Sequence, residues 1–257
     1  MNFELAKKTA IKAVKGSGNI LMANFYKEKS MSFKGKGDIV TEIDFKSEKF
    51  ILDLIKKNFP DHAILSEEKG LVEKTSAYIW IVDPIDGTIN NYHGAEPFCI
   101  GLCLLKNDEP IISAIYNPIS DHLYFAEKNK GANMNGNVIK VSDRDLKNSV
   151  IMTHLSSKKD SRDRLIPHLE QIYSSGMHMR MLGSGFAAMT YVAGGNFDVF
   201  FNIKTNAWDF LPGTLLVQEA GGMVTDINGE KINIKSTSVL ATNGVAHGEM
   251  LALLKNI

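Results

Sequence analysis

The sequence predicts a layered protein that mixes helices and strands, of the α+β or α/β class. Short apolar runs typical of strands dominate residues 63–126, whereas strand-like and helix-like segments alternate from residue 149 onward. No internal repeat, low-complexity tract or linker rich in Pro, Gly and Ser divides the chain. We therefore predict one compact unit over residues 1–257, with two lobes that cover about 1–145 and 146–257.

The chain begins with a predicted amphipathic helix. Residues from about 3 to 26 carry apolar side chains at helical spacing among lysines, and we expect an interruption near Gly16-Ser17-Gly18. The segment that follows, residues 27–38, is charged and contains glycines, which favours a mobile loop or a hairpin.

A second helix is predicted to begin at Thr41. Thr41 and Asp44 have the spacing of a capping pair, in which each residue satisfies a free backbone or side-chain group of the other. Apolar residues then recur on one face until Asn58-Phe59-Pro60, where the proline ends the helix.

Five short apolar runs in the middle of the chain predict strands. They are Ala63–Leu65, Tyr78–Val82, Phe98–Leu105, Ile111–Tyr116 and Leu123–Ala126. The dipeptide Asn135-Gly136, which lies beyond them, is typical of a tight hairpin turn.

The second half of the chain alternates between the two element types. We expect strands near residues 149–154, 177–181, 197–203, 222–226 and 238–242. We expect helices near residues 159–174, 185–193, 209–220 and 245–256.

The composition excludes several classes of protein. Hydrophobic residues make up 44% of the chain, and 29 basic side chains balance 29 acidic ones, so no net charge favours nucleic acid or an anionic membrane. The start of the chain lacks an apolar core of signal-peptide length, and the longest apolar run has eight residues, too few to span a membrane. Cys99 and Cys103 lie inside that run, which indicates reduced, buried thiols and a cytoplasmic location.

Carboxylates stand where several apolar segments end. In Asp83-Pro84-Ile85-Asp86-Gly87-Thr88, we expect the strand to end at Asp83 because Pro84 cannot continue the ladder. Gly87 permits a tight turn, and the amides of Gly87 and Thr88 could open a short helix that faces an anion. Glu67-Glu68 follows another predicted strand, and Asp209 stands at the expected start of a helix.

A single aspartate in a turn or at a helix cap is far more often solvated or capping than a metal ligand. Several carboxylates that converge would repel one another strongly unless cations were present. Hard cations with oxygen ligands, Mg²⁺ first, are the ions that such a site selects. The coincidence of these segments therefore favours a magnesium site.

Together these segments resemble the signatures of the inositol monophosphatase family, which belongs to the lithium-sensitive, Mg²⁺-dependent sugar phosphatase superfamily. The segments Asp38–Asp44 and Glu219-Ala220-Gly221-Gly222 also fit, so that the resemblance extends over nearly the whole chain. It implies a layered αβαβα sandwich with mixed sheets and a metal site between the layers. The first predicted lobe would carry the Asp83 turn, and the second, on the substrate side, would carry Asp209.

The resemblance implies two to three Mg²⁺ ions. A first would be held by Glu67, Asp83 and the carbonyl of Ile85, and a second by Asp83, Asp86 and Asp209. A third, weaker ion would lie near Glu67 with mostly water ligands.

The remaining catalytic roles also follow from the resemblance. Thr88 and Asp44 would activate the attacking water together with the metal held by Glu67, and Glu68 would support this set without contacting the metal. The amides of Gly87 and Thr88 would bind phosphate.

The resemblance also implies a substrate side. The residues expected to face the substrate are Asp86, Arg180, Ser184, Gly185 and Asn202. Many inositol phosphatases carry a glutamate at the position of Asn202, so this position departs from the family pattern and leaves the preferred substrate open. Lys34 and Lys36 are solvated charges in one interpretation and substrate contacts in the other.

The function implied is hydrolysis of a small phosphate monoester, inositol monophosphate or a related sugar phosphate, by a cytoplasmic homodimer. Rival substrates are fructose 1,6-bisphosphate, histidinol phosphate, 3′-phosphoadenosine phosphate and NADP. A non-catalytic, cation-dependent binding protein is the alternative from another class. Other phosphatase chemistries fit poorly. Neither cysteine has an arginine six residues later, Asp83 and Asp86 are three residues apart and so do not form the Asp-x-Asp of aspartyl-phosphate enzymes, and no His-Glu-x-x-His motif occurs.

Overall fold

A computed structural model describes residues 1–35, 38–155 and 159–255, and these ranges contain seven α-helices. They are α1 (Phe3–Met22), α2 (Glu42–Asn58), α3 (Thr88–Tyr92), α4 (Lys159–Ser174), α5 (Gly185–Ala193), α6 (Ala207–Glu219) and α7 (His247–Leu253).

The same ranges contain fifteen strands in three sheets. The strands of the first half are β1 (Met31–Gly35), β2 (Asp38–Thr41), β3 (Ala63–Ser66), β4 (Gly70–Val72), β5 (Tyr78–Asp86), β6 (Cys99–Lys106), β7 (Glu109–Asn117), β8 (His122–Glu127), β9 (Ala132–Met134) and β10 (Asn137–Val138). Those of the second half are β11 (Val150–Thr153), β12 (His178–Arg180), β13 (Val199–Asn202), β14 (Met223–Thr225) and β15 (Val239–Thr242).

The helices α1 and α2 form the first layer and cover one face of an eight-stranded sheet. Their apolar stripes, which include Val14 and Ile55, pack against Trp80 and Leu102 of the sheet in one buried cluster. At the start of α2 the backbone N–H of Thr41 donates to Asp44 Oδ2 at 2.8 Å, which confirms the predicted capping pair.

The predicted interruption of α1 at Gly16-Ser17-Gly18 is wrong, because the helix runs unbroken to Met22. Close packing explains the two glycines. A Cβ atom on Gly16 would lie 2.4 Å from the ring of Phe50, and one on Gly18 would lie 2.5 Å from the ring of Tyr116.

The charged segment after α1 forms the hairpin that was one of the two predicted alternatives. Strands β1 and β2 pair antiparallel, with Phe33 opposite Ile39. Lys34 lies on β1, whereas Lys36 lies outside the described residues.

The eight-stranded sheet has the order β10-β9-β8-β7-β6-β5-β3-β4. Its strands pair antiparallel except β3 and β5, which run parallel with Ser66 beside Val82. This register sets the residues that follow Ser66 next to those that follow Val82. The predicted turn at Asn135-Gly136 is confirmed, since both residues have positive φ and join β9 to β10.

The predicted end of a strand at Asp83 is wrong. Strand β5 continues to Asp86, and its pairing with β6 shifts between Asp83, which faces Gly101, and Asp86, which faces Cys99. A bulge of this kind tolerates Pro84, which has no N–H to donate to the ladder, without ending the strand.

The helices α5 and α6 form the middle layer between the two large sheets. Both are apolar nearly all round because each packs on two sides. Phe186 and Phe210 from these helices join Ile81 of the first sheet and Phe200 of the second in one buried cluster. Cys99 and Cys103 belong to the same cluster as free, buried thiols, as predicted from the sequence.

A five-stranded sheet of order β12-β11-β13-β15-β14 follows, with parallel and antiparallel neighbours. Its outer face packs against α4 and α7 through a third buried cluster that includes Leu165, Phe201 and Met250. Two helices of the second half differ from their predicted bounds: α6 starts two residues early, and α7 covers His247–Leu253 of the predicted 245–256, of which Asn256 lies outside the described residues. The strands of this half lie within their predicted ranges. Strand β4 has no counterpart among the predicted elements.

The order of layers is therefore helices, sheet, helices, sheet and helices, and the predicted αβαβα sandwich with mixed sheets is confirmed. Within the described ranges, no helix has the length and apolar character needed to cross a membrane.

Candidate active site

An open cavity of about 260 Å³ lies where β3, β5 and α3 meet the first turns of α5 and α6. Its lining residues come from both halves of the chain and are Ile39, Glu67, Asp83, Ile85, Asp86, Gly87, Thr88, Ile89, Asn90, Gly183 and Asp209. All four carboxylates predicted to bind metal are in this lining. Parallel pairing of β3 and β5 explains why Glu67 lies beside Asp83, and the Glu67 N–H donates to the carbonyl of Val82 at 3.2 Å.

Asp83 is the most deeply enclosed of these acids, with 2% of its surface exposed. It accepts a hydrogen bond from the Ile85 N–H at 3.0 Å across the bulge. Burial raises its pKa well above the usual range, and the charges of Glu67, Asp86 and Asp209 raise it further. The nearest charged groups of Asp83 are therefore acidic, and none of them offsets its negative charge.

Asp86 bridges the first sheet and the middle helical layer. Its carboxylate lies at the N-terminus of α5 and accepts from the Ser184 hydroxyl at 2.5 Å, the Gly185 N–H at 3.1 Å and the Phe186 N–H at 2.6 Å. Burial raises the pKa of Asp86 to about 6, although these three donors lower it in part.

Asp209 occupies the first turn of α6. Its Oδ2 accepts from the Thr205 hydroxyl and from the Asn206 N–H, both at 2.8 Å. Burial raises the pKa of Asp209 to about 6 against the effect of these donors, and Asp86 raises it further. These capping hydrogen bonds therefore fix the direction of the Asp209 side chain, although burial and the charge of Asp86 disfavour its ionised form.

Glu67 and Glu68 are held by a lysine from the hairpin. The ammonium of Lys34 lies 2.8 Å from Glu67 Oε1 and also contacts Glu68 Oε1. Burial raises the pKa of each glutamate to about 7, although Lys34 acts to lower both values. Burial alone would lower the pKa of Lys34, but the two glutamates raise it above its ordinary value.

Asp44 and Thr88 are in contact, as the resemblance implies. The two oxygens of Asp44 have different tasks: Oδ2 accepts the capping bonds from Thr41, and Oδ1 lies 3.1 Å from the Thr88 hydroxyl. The same hydroxyl lies 2.9 Å from the carbonyl of Ile85, and its single proton can serve only one of these acceptors at a time. Burial raises the pKa of Asp44.

The backbone at Gly87 has φ 92°, where a Cβ atom would lie 3.0 Å from the carbonyl of Pro97. This turn starts α3. Asn90, which the sequence analysis missed, secures the region because its Nδ2 donates to the carbonyls of Pro97 and Leu182 at 2.7 and 2.9 Å. In the sequence, only its position two residues after Thr88 could have identified Asn90 as part of the site.

The donor set suits a hard divalent cation. Every predicted ligand offers oxygen, and burial raises the pKa values of Asp83, Asp86 and Asp209, so that a bound cation would stabilise their ionised forms. In the described ranges, however, no three acidic, histidine or cysteine side chains are arranged as a ready-made metal site. Glu67, Asp86 and Asp209 are each turned toward an internal donor, so that binding a cation requires small side-chain adjustments.

The predicted substrate contacts divide into two groups. Ser184 and Gly185 lie beside the cavity through their bonds to Asp86. Arg180 is exposed on β12, where its guanidinium donates to the carbonyl of Met179, and Asn202 accepts from the Lys204 N–H at the end of β13. Neither Arg180 nor Asn202 is part of the cavity lining.

Comparisons with known proteins agree with this geometry. The model of the inositol monophosphatase family matches residues 4–257. The fructose-1,6-bisphosphatase/inositol-1-monophosphatase of Thermotoga maritima is 35% identical over 252 residues, which cover 96% of this chain and 95% of that protein. The Nus factor SuhB of Escherichia coli (strain K12) is 31% identical, with 96% and 94% covered. The crystal structure of the extragenic suppressor protein SuhB from Bartonella henselae has a TM-score of 0.91 at 30% identity and covers 96% of both chains.

Proposed function

Because the chain belongs to the inositol monophosphatase family, whose members are phosphatases that hydrolyse phosphate monoesters, we propose that Mg²⁺ is its metal and a sugar or inositol monophosphate its substrate. The observation that carries the proposal is the enclosed position of Asp83 among Glu67, Asp86 and Asp209. Such a cluster repels a phosphate dianion until cations reverse its field.

The proposed ligands are the carboxylates of Glu67, Asp83, Asp86 and Asp209 and the carbonyl of Ile85, for two to three ions. When bound, Mg²⁺ supplies Lewis-acid catalysis, which acidifies the attacking water and stabilises the leaving oxygen. If the Ile85 carbonyl served a cation, the Thr88 hydroxyl would be free to donate its proton to Asp44 Oδ1.

The pair of Asp44 and Thr88 then provides general-base catalysis. The hydroxyl oxygen of Thr88 can accept a proton from the attacking water while its own proton passes to Asp44 Oδ1, as the water oxygen attacks phosphorus. The P–O ester bond breaks on the opposite side, and the leaving alkoxide takes a proton from a solvent water to become the free alcohol. The amides of Gly87 and Thr88 stabilise the phosphate oxygens in the transition state.

The substrate class is proposed from the relatives and from one departure. The Thermotoga protein carries the names of two activities, one on fructose 1,6-bisphosphate and one on inositol monophosphate. Asn202 lies outside the cavity lining and is uncharged, so it would not repel a second phosphate as a glutamate would, and it could contact a hydroxyl only of a substrate that extends beyond the cavity. Sugar phosphates therefore stand beside inositol monophosphate in the proposal.

The test is phosphate release by purified protein from a panel of inositol monophosphate, fructose 1,6-bisphosphate, histidinol phosphate, 3′-phosphoadenosine phosphate and NADP. We expect Mg²⁺-dependent release from at least one member and inhibition by Li⁺. No release from any member would contradict the proposal.

A matched pair of variants tests the assignment of roles. Asp44→Asn should lower kcat by about 10²–10⁴-fold, the usual contribution of a general base, with little change in the Mg²⁺ dissociation constant. Asp209→Asn should instead weaken Mg²⁺ binding. An unchanged kcat in Asp44→Asn would overturn the general-base role.

A second candidate is a non-catalytic, cation-dependent regulator, which is favoured by the Escherichia coli relative named as a Nus factor. The Asp44–Thr88 contact discriminates the two, because metal binding alone does not need it. We also propose that the protein is a homodimer, as the family resemblance implies, and that it is cytoplasmic, as its two reduced thiols indicate.

A further inference from the structure

The hairpin of β1 and β2 places one positively charged side chain beside the carboxylate cluster, at Glu67 and Glu68. Lys34 extends from β1 so that its ammonium lies 2.8 Å from Glu67 Oε1 and contacts Glu68 Oε1, with 24% of its side chain exposed. Among the described residues, Lys34 is the basic side chain that forms ion pairs with this cluster.

This contact occupies an oxygen that a metal ion would need. Glu67 belongs to the proposed ligand set, and its Oε1 already accepts from the Lys34 ammonium. A divalent cation and an ammonium at the same carboxylate repel each other strongly in a partly buried site. Although Glu67 has a second carboxylate oxygen, close contact of both cations with this side chain is therefore unfavourable.

We propose that Lys34 is a built-in competitor for the metal, whose ammonium neutralises Glu67 and Glu68 until a divalent cation displaces it. Lys34 thereby sets the Mg²⁺ concentration at which the site fills. The inference rests on the proposed function, in which Glu67 is a metal ligand.

The expected effect of Lys34 on metal affinity depends on whether it competes with the metal or supports its binding. As a competitor, it stabilises the metal-free protein and weakens metal binding, and the two effects are linked reciprocally. As a support that orients Glu67 for the metal, it would strengthen metal binding. Removal of the ammonium therefore decides between the two by the sign of the change in affinity.

The experiment is calorimetric titration of metal-stripped protein with Mg²⁺ in the absence of substrate. Lys34→Gln should bind Mg²⁺ about tenfold more tightly than wild type, within the usual range of coupling between two sites. Lys34→Arg keeps the charge and should bind no more tightly than wild type. Lys49→Gln is the matched control, since it removes an equal charge from the exposed Lys49–Asp53 pair on α2 and should leave the affinity unchanged.

Thermal unfolding supplies a second readout that does not depend on activity. Without metal, Lys34→Gln should melt about 2–4 °C below wild type, whereas the two proteins should converge at saturating Mg²⁺. Equal or weaker Mg²⁺ binding by Lys34→Gln would overturn the competitor role. A wild-type protein that binds no Mg²⁺ would instead defeat the proposed function itself.

Discussion

Two buried aspartates, Asp198 and Asp83, have opposite electrostatic surroundings. Asp198, just before β13, is fully buried and accepts from the Ser142 hydroxyl at 2.5 Å, Arg144 Nε at 2.8 Å and the Val150 N–H at 2.7 Å.

Asp83 is almost as deeply buried, yet its close neighbours are other carboxylates, and no basic side chain of the described residues forms an ion pair with it. Donor groups of the protein compensate the charge of Asp198, whereas the charge of Asp83 requires a bound cation. A buried charge in a field of like charges costs stability, so its retention indicates a functional site.

The largest effect is expected from Asp83→Asn, which tests the functional side of this comparison. Phosphate release should fall by at least about 10²–10³-fold, the range found when a group that stabilises the transition state is lost. The metal-free variant should melt at a higher temperature than wild type, because like-charge repulsion is relieved. A lower melting temperature in EDTA would mean that Asp83 is compensated internally after all.

The opposite outcome is expected for Asp198→Asn. It breaks the ion pair between the buried Asp198 and the partly exposed Arg144 and weakens the hydrogen bonds that Asp198 accepts, which should cost about 2–4 kcal/mol of unfolding free energy. Urea unfolding measures this loss, and Mg²⁺ affinity should stay unchanged. A double variant with Arg144→Met should recover part of the loss, and a failure to destabilise would remove the structural role.

The dependence of stability on pH should carry the signature of the cluster. The pKa values of Glu67 and Glu68 are raised from 4.5 to about 7 in the folded state, so folding favours their protonated forms. Their contribution is therefore fully present below about pH 4.5 and is lost as pH rises through about 7. Melting temperatures of metal-free protein should fall across this window, and a smaller fall with saturating Mg²⁺ would confirm the cause. A rise over the same window would contradict it.

The prediction from sequence succeeded where local chemistry dominates. The capping pair of Thr41 and Asp44 and the apolar α5 were predicted because their signals lie within a few residues of the element itself. The family signatures likewise pointed to Glu67, Asp83 and Asp209, which the fold brings to one cavity.

Long-range contacts account for what the sequence could not show. Strand β5 continues past Pro84 because β6 accepts a bulge there, and α1 passes through its glycines because Phe50 and Tyr116 fill the space beside them. The network of Asp198 joins segments about 50 residues apart, and no local pattern marks it. The pairing of Lys34 with Glu67 likewise depends on where the hairpin folds back.

The smallest effects are expected from two matched serine variants. Ser142→Ala and Ser184→Ala each remove one hydroxyl donor from a buried carboxylate, worth about 1–2 kcal/mol. Ser142→Ala should lower the free energy of unfolding and leave kcat/KM unchanged. Ser184→Ala also removes the N-cap of α5, so it should lower the free energy of unfolding and, in addition, kcat/KM or Mg²⁺ affinity. If Ser184→Ala leaves both kcat/KM and Mg²⁺ affinity unchanged, the distinction between the two regions fails.

The carboxylates around Asp83 should become active only when Mg²⁺ compensates their charge. The decisive measurement is phosphate release by metal-stripped protein at increasing Mg²⁺ concentration, with a responsive substrate of the panel. We expect no release without metal and a saturable rise as Mg²⁺ is added. Equal release in the presence of excess EDTA, or none at any Mg²⁺ concentration, would disprove this dependence.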